Sequence, residues 1–228
     1  MAGPPIPRAT ARLAEPAQSV LDIGCGTGLL AAYLSAQGKR VTGLDPAAAM
    51  PDIARARPGG TRVPWLQADA RNAQLGETFD LVVMTGHAFQ CFLTGEDRLA
   101  LLHTVARHPG PTGRFLFDRR NPLCRECERW TPGATRHAII HQALGPLATW
   151  NDVSFDPGQA IASCDTVYAP AKGPACRARS RIAFPPQTEI AAALANAGLL
   201  PQSWVGAWDL TPFCAHSPEI IAFGGRGW

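Results

Sequence analysis

The chain is short of lysine, of long apolar runs and of excess charge. Of its 228 residues only Lys39 and Lys172 are lysines, and Lys+Arg 21 against Asp+Glu 18 leaves a formal charge of +3. So weak a balance predicts neither a nucleic-acid surface nor an anionic lipid surface. No apolar run reaches the roughly 18 residues a membrane helix needs. Met1–Thr10 (MAGPPIPRAT) has no signal-peptide core, so the expected location is the cytoplasm. The seven cysteines are an odd number and are read as reduced thiols rather than a disulfide framework. What the chain does have is core-forming material. With 46% hydrophobic and 17% charged residues, disorder is excluded as the main state, and the length suits a single domain over 1–228.

The first half alternates strand and helix patterns. Ser19–Ile23, Arg40–Leu44, Val63–Gln67, Phe79–Met84 and Arg114–Asp118 read as short strands, the fourth apolar throughout as a parallel strand covered on both faces should be. Pro64 places the third nearer a sheet edge. Leu29, Leu30, Tyr33 and Leu34 recur at helical spacing before Gly38, and Ala47–Arg57 reads as a helix broken by Pro51. Thr94-Gly95-Glu96-Asp97 is a capping box opening a helix that His108-Pro109-Gly110 ends. Repeated strand-helix-strand units predict a doubly wound α/β sheet with right-handed crossovers. The rhythm changes beyond this. Gly145-Pro146, Asp156-Pro157-Gly158 and Lys172-Gly173-Pro174 are turn signals, and arginines 177, 179 and 181 alternate with Ala178, Ser180 and Ile182. Residues 134–184 therefore read as an antiparallel β-meander inserted after the fifth strand. A helix capped by Thr188 and strands Pro201–Trp208 and Glu219–Phe223 resume the earlier pattern.

Val20-Leu-Asp-Ile-Gly-Cys-Gly-Thr-Gly28 is the strongest functional signal. A strand turning into a helix through Gly24, Gly26 and Gly28 brings bare backbone to a ligand and presents free N–H groups at the helix start. Gly26, Gly28 and Ala31 also satisfy a G-x-G-x-x-A dinucleotide fingerprint, with Asp45 at ribose distance, so an NAD-dependent oxidoreductase is one reading. Three carboxylates favour another. Asp22 at the loop would repel a pyrophosphate but hold a cationic amine. Asp45 ends the second strand where it can accept both hydroxyls of a ribose. Asp69, in Leu66-Gln-Ala-Asp-Ala70, ends the third, where it can accept from an adenine amino group. A nucleoside with an amino-acid end, no phosphate and a positive centre fits, and S-adenosylmethionine is such a ligand.

On these residues the sequence resembles the class I S-adenosylmethionine-dependent methyltransferases. The matching stretches are VLDIGCGTG (20–28), VTGLD (41–45) followed by Met50, LQADA (66–70), FDLVVMTGHAFQ (79–90) and PGPTGRFLFD (109–118), with weaker likeness over 197–213 and 218–225. The resemblance implies a Rossmann-like seven-stranded sheet in order 3-2-1-4-5-7-6, the last strand antiparallel, with 134–184 forming an acceptor pocket. It implies that the backbone at Gly24, Cys25, Gly26 and Gly28 lines the methionine and ribose portion. Asp22 would orient the amino group, Asp45 would bind ribose with Pro46 and Met50 nearby, Asp69 and the Ala70 N–H would read adenine, and Met84 and Thr85 would complete the cofactor site. Relatives usually carry one or two N-terminal helices as a lid. Here about 18 residues precede the first strand, with Arg8–Ala14 as one short helix. A shortened lid leaves open a non-catalytic protein that only binds the cofactor.

Methyl transfer from a sulfonium is an in-line displacement, and the protein chiefly aligns the acceptor and excludes water. His87, just past the fourth strand, is the candidate general base for an N or O acceptor. The other reading of His87 is a loop-fixing or cofactor-contacting residue. The Asn/Asp/Ser-Pro-Pro-aromatic run of base-methylating enzymes is missing at Thr85–Ala88, so a small-molecule acceptor is expected rather than nucleic acid. Arg119 and Arg120 could bind an acidic acceptor or sit in a solvated loop. Trp130, Trp150, Trp204 and Trp208 are pocket or core residues. Cys124, Cys127, His137 and His141 have zinc-like residue types but too short a spacing, and no metal is expected.

Overall fold

In a computed structural model that describes residues 13–141 and 143–227, the apolar runs become strands. These are β1 (Ser19–Ile23), β2 (Arg40–Asp45), β3 (Trp65–Gln67), β4 (Phe79–Met84) and β5 (Pro109–Arg120), then β6 (His137–His141), β7 (Gly145–Asp156), β8 (Ile161–Pro170) and β9 (Cys176–Ala183), and finally β10 (Leu199–Val205) and β11 (Glu219–Arg226). Seven of them form one sheet in the order β3-β2-β1-β4-β5-β11-β10. The first five run parallel, while β11 lies antiparallel to both β5 and β10. With the inserted strands left out, this is the 3-2-1-4-5-7-6 order that the resemblance implies.

Side-chain alternation along each strand sends neighbours to opposite faces, and both faces are apolar. Leu21, Val82, Met84, Phe115 and Phe117 point to one side, where α3 (Gly95–Arg107) brings Leu101, Leu102 and Val105 and α5 (Gln187–Asn196) brings Ile190 and Leu194. Val20, Val41, Leu81, Val83 and Leu116 point to the other, under Leu30, Ala31 and Leu34 of α1 (Leu29–Ala36). Phe89 stacks on Phe117 with ring centroids 4.5 Å apart. Each such side chain, fully buried, stabilises the fold by roughly 1.5–3 kcal/mol. That two-sided burial fixes the carboxyl edge of the sheet as a rigid shelf.

The insertion folds as a separate four-stranded antiparallel sheet, β6-β7-β8-β9. Asp156 turns the β7–β8 hairpin, its Oδ1 accepting from the amides of Gly158 and Gln159 at 2.8 and 3.1 Å. The sheet starts at His137, and the residues before it form a one-turn helix α4 (Pro132–Thr135) capped by Thr131.

Several boundaries move. The helix expected over Ala47–Arg57 is only α2 (Met50–Arg55), because Pro51 has no amide to donate and is accommodated in a first turn. Pro64 stays outside β3 and accepts from the Gly43 amide at 3.0 Å instead. Thr188 does not cap α5: Pro186 holds the cap position and Thr188 lies in the first turn. The strand expected at Pro201–Trp208 is Leu199–Val205. Most of the N-terminal helix expected at Arg8–Ala14 lies outside the described residues, although Leu13 and Ala14 are helical.

Two loop glycines separate packing from strain. Gly28 has φ +72°, and a Cβ there would meet the Trp65 ring and lie 2.6 Å from Ala54 Cβ. Gly26 has φ +51° but nothing within 4 Å. Gly28→Ala should lower stability by about 2–4 kcal/mol and Gly26→Ala by roughly 1 kcal/mol, read from urea midpoints at equal m-value. Equal losses would show that the backbone conformation alone sets both.

Candidate functional site

Beyond Ile23 the chain turns through Gly24, Gly26 and Gly28, all with positive φ, into α1. Four amides of this turn are engaged within the fold. Those of Gly24 and Cys25 donate to Leu44 O at 2.8 and 3.2 Å, that of Gly26 to Asp45 Oδ2 at 2.8 Å, and that of Gly28 to Cys25 O at 2.9 Å. Of the N–H groups expected to be open, that of the cap residue Gly28 and those of Gly24, Cys25 and Gly26 in the loop before it are already engaged. With four amides engaged, the loop offers fewer donors to a pyrophosphate.

A cavity of about 650 Å³ lies along the carboxyl edge of the sheet beside this loop. Gly24, Asp45 and Pro46 line one side of it, Asp69 and Ala70 another, and Met84 and Thr85 a third. A side chain on Gly24 would put its Cβ 2.7 Å from Ala88 Cβ, so the gap between the two loops exists only because glycine stands there. Each oxygen of Asp45 already accepts one amide, from Gly26 at 2.8 Å and Ala47 at 2.9 Å, which fixes the carboxylate plane. Asp69 arrives paired: Arg71 Nε lies 3.1 and 3.0 Å from its two oxygens, and Arg71 Nη1 reaches on to Asp97 at 2.7 Å. Sequence reading did not foresee this bridge.

Other expected residues sit behind the cavity wall. Asp22 is buried beneath the loop, 2% exposed, and its carboxyl is pushed up to about 7 by burial, with Asp45's charge adding and the Ala31 amide opposing. Cys25 packs its sulfur toward Gly43, and burial with the nearby Asp22 and Asp45 raises its thiol. Gly26 is taken up by Asp45, Gly28 packs against Trp65, and Met50 opens α2 half-buried.

His87 occupies the left-handed region at φ 64° between cavity-lining Gly86 and Ala88. Its backbone N–H donates to Asp118 Oδ1 at 3.0 Å, and its Nε2 stands 2.9 and 3.0 Å from the two oxygens of Glu219 and 3.8 Å from Asp118 Oδ2. The loop leaving β4, the end of β5 and the start of β11 supply this trio. Asp118 is pushed up to about 6, mainly by burial, with His87 opposing. Neither carboxylate was singled out from sequence. Glu219 is 132 positions from His87, and only the antiparallel pairing of β11 on β5, Glu219 opposite Arg120, brings it there.

Arg119 is not an acceptor-binding residue or a solvated one. It is fully buried, donates to Arg120 O from Nε and Nη2 at 3.0 and 2.8 Å and to Pro185 O from Nη1, and burial pushes its guanidinium down to about 9. It ties the exit of β5 to the chain returning from the insertion. Gln90, also missed, is a second tie: its Nε2 donates to Ala183 O at 3.1 Å and its Oε1 accepts from the Arg120 amide at 3.2 Å. Arg120 stacks 4.8 Å over Trp130, and Arg136 4.4 Å over Trp150. Trp204 and Trp208 pack on the two main cores. Arg179 holds Asp165 with both ends at 2.7 and 2.8 Å on an exposed sheet face. Cys127 packs in the insertion core, Cys124 donates to Ser217 O, and His141 accepts from the amides of Ala143 and Leu144, so the zinc-like set is dispersed. Tyr168 and Lys172 stand four apart, a spacing some oxidoreductases use, but on a strand end and the following turn, where they share no helix face.

Comparison with known proteins agrees with this geometry. Residues 20–113 match the family described as Methyltransferase domain. Cypemycin N-terminal methyltransferase of Streptomyces sp is 27% identical over 204 residues, 90% of this chain and 81% of that protein. Malonyl-[acyl-carrier protein] O-methyltransferase of Anoxybacillus flavithermus is 34% identical over 112 residues, covering 47% of this chain but only 40% of its own length. Among solved structures, the CcbJ methyltransferase from Streptomyces caelestis superposes with a TM-score of 0.82 at 19% identity, covering 100% of this chain and 92% of that one. No described helix is long and apolar enough to cross a membrane.

The burial of Asp22 has a pH signature. Its folded value of about 7 lies above the ordinary 3.8, so between them the folded state binds the extra proton. Stability should fall as pH rises through that window and level off above it. Asp22→Asn should be flatter with pH and more stable than the native chain at pH 8 by up to about 4 kcal/mol, measured by urea unfolding at pH 5 and 8. A pH-independent difference would refute the assignment.

Proposed function

We propose, from the chain's membership of the class I S-adenosylmethionine-dependent methyltransferases, that it methylates an amine nitrogen of a small molecule with His87 as general base. The cavity suits the cofactor. Its volume falls within the roughly 300–1,000 Å³ of small-molecule sites, and it is walled by Asp45, Asp69 and Asp97, with Arg71 committed to two of them. Such a wall repels pyrophosphate and tolerates a sulfonium, which weighs against the oxidoreductase reading. Asp45 would hold the ribose hydroxyls with its remaining lone pairs, and Asp69 and the Ala70 amide would meet adenine. Pro46 and Met84 would pack on its apolar parts, with Met50 nearby. Thr85 and the backbone of Gly24, Cys25, Gly26 and Gly28 would enclose the amino-acid end. Asp22 would orient the ammonium through the loop. When bound, the cofactor supplies an electrophilic methyl group on a sulfur that leaves neutral.

The observation carrying the amine reading is the His87–Asp118–Glu219 trio, whose histidine stands between cavity-lining Gly86 and Ala88. Two carboxylates around one imidazole attract a cationic amine, and the imidazole takes the proton that must leave before nitrogen can attack. The relative aligned over 90% of this chain is named for methylation at an N-terminus, whereas the O-methyltransferase aligns over 47%. The inserted sheet, tied to the His87 loop by Gln90, would form the outer wall of the acceptor pocket. A cytoplasmic location is part of the same reading.

Titration with S-adenosylhomocysteine should give saturable heat, tighter at pH 8 than at pH 6 because the ionised Asp22 beneath the loop attracts the ammonium through it. That pH dependence should weaken in Asp22→Asn, leaving only what Asp118 contributes. His87→Ala should lower kcat about 10²–10⁴-fold with affinity for S-adenosylhomocysteine within twofold. In an acceptor panel, turnover of primary or secondary amines over matched alcohols is expected. Alcohols reacting faster would overturn the amine reading, and no heat at millimolar ligand would overturn the cofactor assignment.

A further inference from the structure

Both oxygens of Glu219 lie at hydrogen-bond distance from one atom, His87 Nε2, at 2.9 and 3.0 Å. A carboxylate can only accept there, so Nε2 carries a proton, and in the neutral ring the lone pair is left on Nδ1. Asp118 acts on the main chain of the same residue. Its Oδ1 accepts the His87 backbone N–H at 3.0 Å, holding the left-handed loop conformation from which the ring projects. Main chain and ring are thus clamped by separate carboxylates from separate strands.

We propose that Glu219 is a positioning residue that locks His87 as the Nε2–H tautomer and makes Nδ1 the nitrogen that deprotonates the acceptor, with Asp118 anchoring the loop. This deepens, and rests on, the reading of His87 as base. In the step, an N–H bond of the acceptor ammonium breaks and an Nδ1–H bond forms. The freed nitrogen lone pair makes the new N–C bond as the C–S bond breaks and its electron pair returns to sulfur. The positive charge arriving on the imidazole is met by the Glu219 carboxylate already in contact with it. The other charges facing the pair are Asp118 Oδ2, 3.8 Å from Nε2, and the guanidinium of Arg119, whose field reaches Glu219 but whose hydrogen bonds are taken by the carbonyls of Arg120 and Pro185.

The test couples a spectrum to a mutant cycle. Long-range 1H–15N correlation on the intact protein should show His87 as the Nε2–H tautomer, and Glu219→Gln should give a mixture. Glu219→Gln should lower kcat 10–100-fold with KM for S-adenosylmethionine within twofold, Glu219→Asp should restore part of it, and adding Glu219→Gln to His87→Ala should cost less than twofold more. Full activity of His87→Ala would overturn the base reading itself. An Nδ1–H tautomer in an enzyme that does need His87 would overturn the role of Glu219 alone, as would an undiminished Glu219→Gln effect in the His87→Ala background. Micromolar Zn2+ binding that removes the Nε2 proton would also overturn it, because the lone pair would then serve a metal.

Discussion

The carbonyl of Leu44 and the carboxylate of Asp45, at the end of β2, hold the glycine loop that leaves β1. Leu44 O takes the amides of Gly24 and Cys25, and Asp45 takes that of Gly26. These bonds lock two adjacent strand exits together and engage the amides of Gly24, Cys25 and Gly26 without a ligand. The cavity wall, the orientation of Asp45 and the burial of Asp22 beneath the turn follow from this closure. So does the choice of ligand. A loop with these amides engaged and a buried acid below it suits a cationic, phosphate-free nucleoside better than a dinucleotide.

On the other side of the cavity the controlling feature is the reversed strand β11. A parallel strand beside β5 would bring its carboxyl end to the shelf. The antiparallel one brings its start, and with it Glu219, next to Asp118 and His87. Hydrogen bonds tie the inserted sheet to the same region. Arg119 reaches Pro185, and Gln90 reaches Ala183. A buried guanidinium is costly unless its donors are used, and Arg119 uses Nε, Nη1 and Nη2 on the carbonyls of Arg120 and Pro185.

Much of the fold was legible. β1 and β4 begin and end where their apolar runs do, because a strand buried on both faces leaves no ambiguity about its extent. The meander was legible from turn residues, and its strands fall within the expected span to a few residues. Errors gathered at prolines and caps. Pro51, Pro64 and Pro186 each act on a neighbour's hydrogen bonding, and which neighbour depends on packing that no local pattern reports.

Residue order was enough to show a class I methyltransferase-type sheet, a glycine turn and acids at three strand ends, since each is a local pattern whose period or spacing follows from backbone geometry. Contacts between distant segments needed the folded chain. Arg71 pairing with both Asp69 and Asp97, Arg119 turning inward, and His87 meeting Glu219 and Asp118 all depend on strand direction and register. A carboxylate far along the chain carries no local mark of the imidazole it will face, because that neighbour is set by the packing of the whole sheet.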